Sequence, residues 1–555
     1  MRDGTRLHAD VYRAADRAEL PVLLVRSPYG KGPALAHFGN AHPIWYADHG
    51  YQVVVQDSRG RGTSEGDFYP FLHEQADGYD TVQWAATMPG SDGRVAMWGF
   101  SYTGATQLLA AVEQPDGLAA LAPGFTSSQY YDGWTYNGGA LALAFVCYWA
   151  NLLAMDTAIR ADDEPTWGAL AGSLAAAPEW FWHLPLTEYP PLRDSYAAYF
   201  TDWVEHPTYD EYWRRWSIDE DYSRVNVPAM HIGGWYDVFL SGTVENFTGL
   251  RSGAGSAEAR EHQKLLIGPW THMPWTPHGS SEADPAVTND VDEWHLRWYD
   301  HILKGEDNGV LDSPVTVHLF NGGWRDYSDW PPPEAELVEW YLHSDGRANS
   351  KYGSGALSRV PPADEPPDVF IYDPGLPSPS FGGHSCCFDA ITPMGPADQH
   401  AAEVSRMMLV YTSDPLPTDV ELVGNVSVTL FAATTAADTD WTARLCVVDA
   451  AGSSTNLQEG IIRARYRSSL SRPEPITPDE VHEYLIDLGP VGAYVPAGHR
   501  LRLQIASSDF PQWDRNLNTG GPVLAESAFK AVLATQTVLH TATRPSRVRV
   551  PMIAV

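Results

Sequence analysis

The chain has 555 residues, enough for roughly two or three domains around a sizeable core. Its formal net charge of −34 disfavours nucleic acid and anionic membrane surfaces as partners, and no uninterrupted apolar run reaches membrane-spanning length. The four cysteines, Cys147, Cys386, Cys387 and Cys446, show no metal-ligand spacing, so no metal and no cofactor is expected.

Cys386 and Cys387 are neighbours and would make a poor structural staple. A reducing, cytoplasmic setting is the expectation, with no signal-peptide pattern at the start. The first strand begins so near residue 1 that an upstream segment stays open.

Thr5 to Tyr12 alternates like a strand. Pro21 to Arg26 is a buried-strand run ending in the Gly- and Pro-rich loop from Ser27 to Pro33. A helix is predicted to reach about His49, and Val53 to Gln56 is the next strand. The glycine-rich stretch Asp57 to Gly66 lacks the Gly-Lys-Ser/Thr ending of a phosphate-binding loop. A structural loop pinned by Asp57 and Arg59 is predicted instead. Glu74 to Met88 reads as a helix closed by Pro89-Gly90.

Val95 to Gly99 is a strand, and Gly99-Phe100-Ser101-Tyr102-Thr103-Gly104 follows, leading into a helix that ends near Glu113. Strand, tight turn with a central serine, then helix is the nucleophile-elbow order of an α/β-hydrolase. The strict pattern wants glycine two positions after the serine; here Thr103 stands there and Gly104 follows. Leu118 to Ala122 is one more strand. The alternation through about residue 125 predicts a parallel sheet with helices on both faces.

From 126 to 222 apolar residues recur at helical spacing and aromatics crowd in, which predicts a helical cap. Ala140 to Ala154 is read there as a buried helix. The sheet resumes with Pro228 to Ile232, running into Gly233-Gly234-Trp235-Tyr236-Asp237. Lys264 to Ile267 runs into Gly268-Pro269-Trp270-Thr271-His272. Asp292 to Lys304 is the closing helix, with Gly305 as its stop.

Beyond about Leu311 short alternating strands dominate: Val315–Phe320, Val426–Phe431, Arg444–Val448, Leu501–Ala506 and Val532–His540. They predict an all-β jelly roll, with Pro361 to Pro379 as a long loop. The expected division is a hydrolase domain over 1–125 and 223–310, a cap over 126–222 and a β-sandwich over 311–555.

A serine hydroxyl is a weak nucleophile until a base lies within hydrogen-bond reach and an acid orients that base. In α/β-hydrolases these follow in the order Ser, Asp or Glu, His. Ser101, Asp237 and His272 keep that order, each just past a predicted strand. His262 lies at the wrong end of its strand, His295 lies inside a helix pattern, and His278 is held in reserve. Glu245 falls a helical distance beyond Asp237 and should point elsewhere. One oxyanion donor is expected from the Tyr102 backbone N–H. The other is expected from the loop after the early strand, where Tyr29 offers a phenol.

With those residues in view, the sequence resembles the cocaine-esterase-like hydrolases, relatives of the bacterial X-Pro dipeptidyl-peptidases and α-amino-acid ester hydrolases. The resemblance rests on Ser27-Pro28-Tyr29, the Ser101 turn, and the runs 233–237, 268–272, Arg297-Trp298-Tyr299-Asp300, Asp438-Thr439-Asp440-Trp441 and Gly460 to Tyr466. That family itself uses Gly-x-Ser-Tyr-x-Gly. The resemblance implies an α/β-hydrolase body, a helical cap and a C-terminal jelly roll. It implies Ser101 as nucleophile, His272 as base, Asp237 as its orienter, and Tyr29 and Tyr102 as the oxyanion hole. It also implies an acyl pocket lined by Trp134, Trp149 and Phe239, with the loop Pro379–Cys387 approaching the site.

The expected partner is a small-molecule ester or amide, with a homo-oligomer left open. The alternatives are an X-Pro dipeptidyl-peptidase or amino-ester hydrolase, which needs an acidic cluster such as Asp162, Asp163 and Glu164 for the substrate ammonium, and a catalytically silent binding protein.

Overall fold

The computed structural model describes residues 1–15, 19–32, 41–272, 290–387 and 393–555. Its first sheet has nine strands. β1 (Ala9–Tyr12), β2 (Leu20–Ser27), β3 (Gln52–Asp57), β4 (Ser91–Phe100) and β5 (Leu118–Gly124) come first along the chain. A small hairpin, β6 (Tyr136–Asn137) and β7 (Ala140–Leu141), pairs with itself. β8 (Ala229–Tyr236), β9 (Gln263–Thr271), β10 (Val315–Leu319) and β11 (Gly323–Tyr327) then complete the sheet. Its spatial order is β1-β3-β2-β4-β5-β8-β9-β10-β11. The edge pairs β1–β3 and β10–β11 are antiparallel, and the pairs between them are parallel.

A parallel sheet needs both faces covered, so its strands read as continuous apolar runs. Val22 and Leu24 of β2 face one way, against Val82 of α2 (Glu74–Thr87) and Leu109 of α3 (Tyr102–Ala111), the two helices that follow α1 (Pro43–Asp48). Leu23 and Val25 face the other way, against Trp298 and Leu303 of a helix at Val291–Lys304. Strand alternation sorts the two cores. The result is an α/β-hydrolase fold.

Between β5 and β8 the chain is mainly helical. Its longest element, Leu143–Arg160, carries the buried apolar run foreseen over 140–154. None of the described helices is long and apolar enough to cross a membrane.

The second region is β-rich, with a 12-stranded sheet. Its own core includes Leu422, Val428, Trp441, Ile486, Leu503 and Val548. Four predicted strands fall on it, at Val420–Thr434, Asp440–Val448, Arg500–Ala506 and Ala534–Thr541, the last beginning two residues later than predicted. The fifth, Val315–Phe320, does not. It is β10 of the first sheet, parallel to β9 with Val315 opposite Leu265. The helix at Val291–Lys304 supplies the crossover that a parallel pair requires. Nor is Pro361–Pro379 wholly a loop: Asp368–Tyr372 pairs with Ala534–Thr541, burying every second residue.

The two regions interlock near the helical segment. Leu141 N–H donates to Asp514 Oδ1 at 2.7 Å, and Ala144 N–H donates to the Pro511 carbonyl at 3.1 Å. Phe510 and Trp513 pack into the same core as Trp134 and Trp149.

Candidate active site

β4 ends at Phe100 and α3 begins at Tyr102, leaving Ser101 alone in the turn at φ 60°, ψ −130°. A non-glycine residue there stores about 1–3 kcal/mol of strain, which the surroundings must hold. Ser101 N–H donates to the Gly124 carbonyl at 2.9 Å, fixing the turn to β5.

The glycine spacing follows from local crowding. A Cβ on Gly99 would lie 2.3 Å from Thr103 Oγ1, and one on Gly104 would lie 2.8 Å from the Gly124 carbonyl. The close approach is therefore at 104. Position 103 has room for a threonine, whose hydroxyl donates to the Phe100 carbonyl at 2.7 Å. The departure from the strict motif is accommodated by this packing.

β8 and β9 are adjacent and parallel, and both run further than the sequence suggests, to Tyr236 and Thr271. Gly234 permits this, because a Cβ there would lie 2.3 Å from the Trp270 carbonyl. Asp237 and His272 are thus the first residues past two neighbouring strand ends. His272 Nδ1 lies 2.7 Å from Asp237 Oδ1, and His272 Nε2 lies 3.0 Å from Ser101 Oγ. All three side chains are buried. A carboxylate on Nδ1 favours the tautomer with its proton there, leaving Nε2 to accept from the serine. Such an arrangement can deprotonate a hydroxyl as it attacks a carbonyl.

Tyr29 and Tyr102 offer different atoms. The Tyr102 phenol is committed elsewhere: it accepts from Phe71 N–H at 2.9 Å and donates to Glu74 Oε1 at 3.0 Å. Its backbone N–H stands at the start of α3, where the first turn has no intrahelical acceptors. The Tyr29 phenol lies within hydrogen-bonding reach of Ser101 and accepts from Trp149 Nε1 at 3.2 Å. Burial pushes it above its ordinary value, so it keeps its proton at neutral pH.

The three predicted pocket aromatics come together. Trp134 stacks on Phe239 at 4.1 Å between centroids and meets Trp149 edge-on at 5.6 Å. Phe239 also stands edge-on to the His272 ring at 5.2 Å.

The rival residues are elsewhere. His262 leads into the far end of β9. His295 is buried against Tyr46 and Tyr299, and burial pushes it down to about 3. His278 lies outside the described residues. Glu245 lines a separate cleft of about 320 Å³ with Asp132 and Asp487. The acidic run caps a helix: Asp163 accepts from Thr166 N–H at 3.2 Å and from the Tyr196 hydroxyl at 3.2 Å.

The glycine-rich loop is pinned by Asp57, which accepts from Lys31 N–H and Thr63 N–H, and by Arg59, paired with Asp77 at 2.6 Å. A third residue was not foreseen. Arg61 is buried and donates to the Pro28 carbonyl at 2.6 Å and the Leu153 carbonyl at 2.9 Å. It therefore ties the Tyr29 loop to the helix carrying Trp149.

The loop ending at Cys387 does approach: Ser385 forms an isolated bridge with Asp237. His384 Nδ1 lies 2.9 Å from Glu459 Oε1 beneath it. Cys386 and Cys387, read from the sequence as a poor structural staple, have their sulfurs bonded to each other.

Residues 3–274 match the model of the X-Pro dipeptidyl-peptidase (S15 family), and residues 285–549 match its C-terminal non-catalytic domain. Cocaine esterase of Rhodococcus sp. (strain MB1 Bresler) is 35% identical over 568 residues, covering 100% of this chain and 97% of the relative. An aminopeptidase from the marine sediment archaeon Thaumarchaeota archaeon superposes with a TM-score of 0.81 at 25% identity, over 100% of this chain and 95% of that one. An α-amino acid ester hydrolase superposes at 0.78 and 23% identity, over 100% and 95%. The chain belongs to the cocaine-esterase-like serine hydrolases of the X-Pro dipeptidyl-peptidase S15 family.

Proposed function

We propose that this serine hydrolase is an esterase working through an acyl-enzyme, with Ser101 as nucleophile, His272 as base and Asp237 as the residue that orients the base. The observation carrying the reading is the hydrogen-bonded chain Ser101–His272–Asp237, with 3.0 Å and 2.7 Å contacts. His272 takes the serine proton during attack and returns it to the leaving alcohol. The Tyr29 hydroxyl and Tyr102 N–H receive the charge that develops on the carbonyl oxygen. Water then repeats the cycle on the acyl-enzyme.

Trp134, Trp149 and Phe239 supply an apolar, aromatic wall for the acyl group, which favours a small-molecule aromatic or apolar ester. A substrate ammonium finds less support: Asp163 of the acidic run is engaged in helix capping. We divide the chain into a hydrolase body over 1–125 and 223–327, a cap between them and a jelly roll beyond.

The test is a panel of p-nitrophenyl esters set against Ala-Pro-p-nitroanilide. Esters should be the faster substrates, and Ser101→Ala should reduce turnover by about 10⁵–10⁶-fold. A faster anilide would hand the assignment to the peptidase alternative, and unchanged turnover in Ser101→Ala would rule out the mechanism.

A further inference from the structure

The loop that buttresses Asp237 also brings two sulfurs to the base. Ser385 bridges to Asp237, and the next two residues are Cys386 and Cys387. Both sulfurs and a ring nitrogen of His272 lie within 4.8 Å of one another. Cys386 is buried and Cys387 is half-buried, with Cys387 at φ 90°. A bond between neighbouring residues closes no appreciable loop, so it contributes little of the chain-entropy stabilisation that disulfides give. The pair does offer two soft donors beside an imidazole. A Cys₂His set is one that holds zinc-like cations with a position left open.

We propose that the reduced Cys386–Cys387 pair and His272 together form a binding site for a soft divalent cation, and that filling it switches the hydrolase off. The site opens only on reduction. A phosphine or thiol reductant gives two electrons to the S–S bond, which breaks and takes up two protons to leave two thiols. Each thiol releases its proton to solvent as its sulfur binds the metal, and His272 adds a nitrogen. Either ring nitrogen serves the switch: Nε2 now faces Ser101 and Nδ1 faces Asp237. A metal on one of them removes a contact that proton transfer needs. Inhibition, though not binding, rests on the reading of His272 as base. Cys147 and Cys446 do not compete, because both are buried and burial pushes their thiols up, holding the protons on.

Cadmium chloride is the probe, added to enzyme reduced with a phosphine and desalted. Reduced enzyme should take up one cadmium per chain by equilibrium dialysis, with thiolate-to-cadmium absorption in the ultraviolet. Turnover should fall more than about tenfold and return with a chelator. Enzyme in the disulfide form, and a Cys386→Ser, Cys387→Ser double variant with an unchanged melting temperature, should bind none and keep turnover. Ser101→Ala should bind cadmium as the parent does, which separates the site from the catalytic reading. Equal uptake by reduced enzyme and disulfide-form enzyme would overturn the proposal even if the double variant failed to fold. Uptake through the cysteines with undiminished turnover would also overturn it, by removing His272 from the donor set.

Discussion

The indole N–H of Trp149 donates to the hydroxyl of Tyr29 at 3.2 Å, joining the helical segment to the loop after β2. The indole occupies an acceptor position of that oxygen, so the phenol proton remains the donor. Tyr29→Phe should lower kcat by about 10²-fold or more with little change in melting temperature. Trp149→Phe keeps an aromatic in place but drops the bond, and should cost less in kcat than Tyr29→Phe. A wild-type kcat in Tyr29→Phe would remove it from the oxyanion hole.

The Ser101 turn makes a prediction about spacing. Thr103→Gly restores the strict motif, yet it should destabilise the protein by about 1–2 kcal/mol, losing the bond to Phe100 and placing glycine in a helix. Gly104→Ala should cost at least as much, because the methyl meets the Gly124 carbonyl and Thr126. Urea midpoints compare the two; a stabilised Thr103→Gly would contradict the packing account.

Arg61 acts on Tyr29 at one remove. Arg61→Met would take a donor from the Pro28 carbonyl and break the ion pair to Asp156, costing about 3 kcal/mol. With the Tyr29 loop loosened, kcat should fall while KM moves less, a split that simple destabilisation would not produce. Kinetics well below the melting temperature would show it.

The His384–Glu459 pair gives a pH signature. Burial pulls the His384 imidazole down, but the Glu459 charge and hydrogen bond outweigh it and the net shift is upward. Burial pushes Glu459 up, but His384 and Arg444 bring it down to about 2. The Glu459 contribution to stability is therefore present above its ordinary 4.5 and lost as pH falls towards about 2. The His384 contribution is full below its ordinary 6.5 and lost as pH rises through the raised value. Arg444, Asp509 and Asp237 are the other charged groups acting on the pair. Glu459→Gln should thus be less stable by about 3 kcal/mol near pH 5–6. The deficit should shrink on either side, and denaturant titration across pH would detect a flat difference if this is wrong.

Much of this was legible in the sequence for a physical reason. Ser101, Asp237 and His272 each follow an apolar run that ends in a turn, and parallel strands place such ends together. Tyr29 was legible by the same logic. Arg61 was not, because nothing local distinguishes a buried loop arginine from an exposed one. His384 and Glu459 are 75 residues apart in sequence, and only folding pairs them. β10 was assigned to the wrong sheet because Val-Thr-Val-His-Leu alternates equally well in either; its partner, β9, decides.

Ser385 and Asp514 have one more consequence, for how the chain is made. On a ribosome, Ser101, Asp237 and His272 emerge long before the residues that brace Asp237 and Leu141. A half-translated chain would carry the three residues proposed to react yet lack the braces on Asp237 and Leu141. Competence to cleave would arrive late in synthesis, so unfinished copies in the cell would stay quiet.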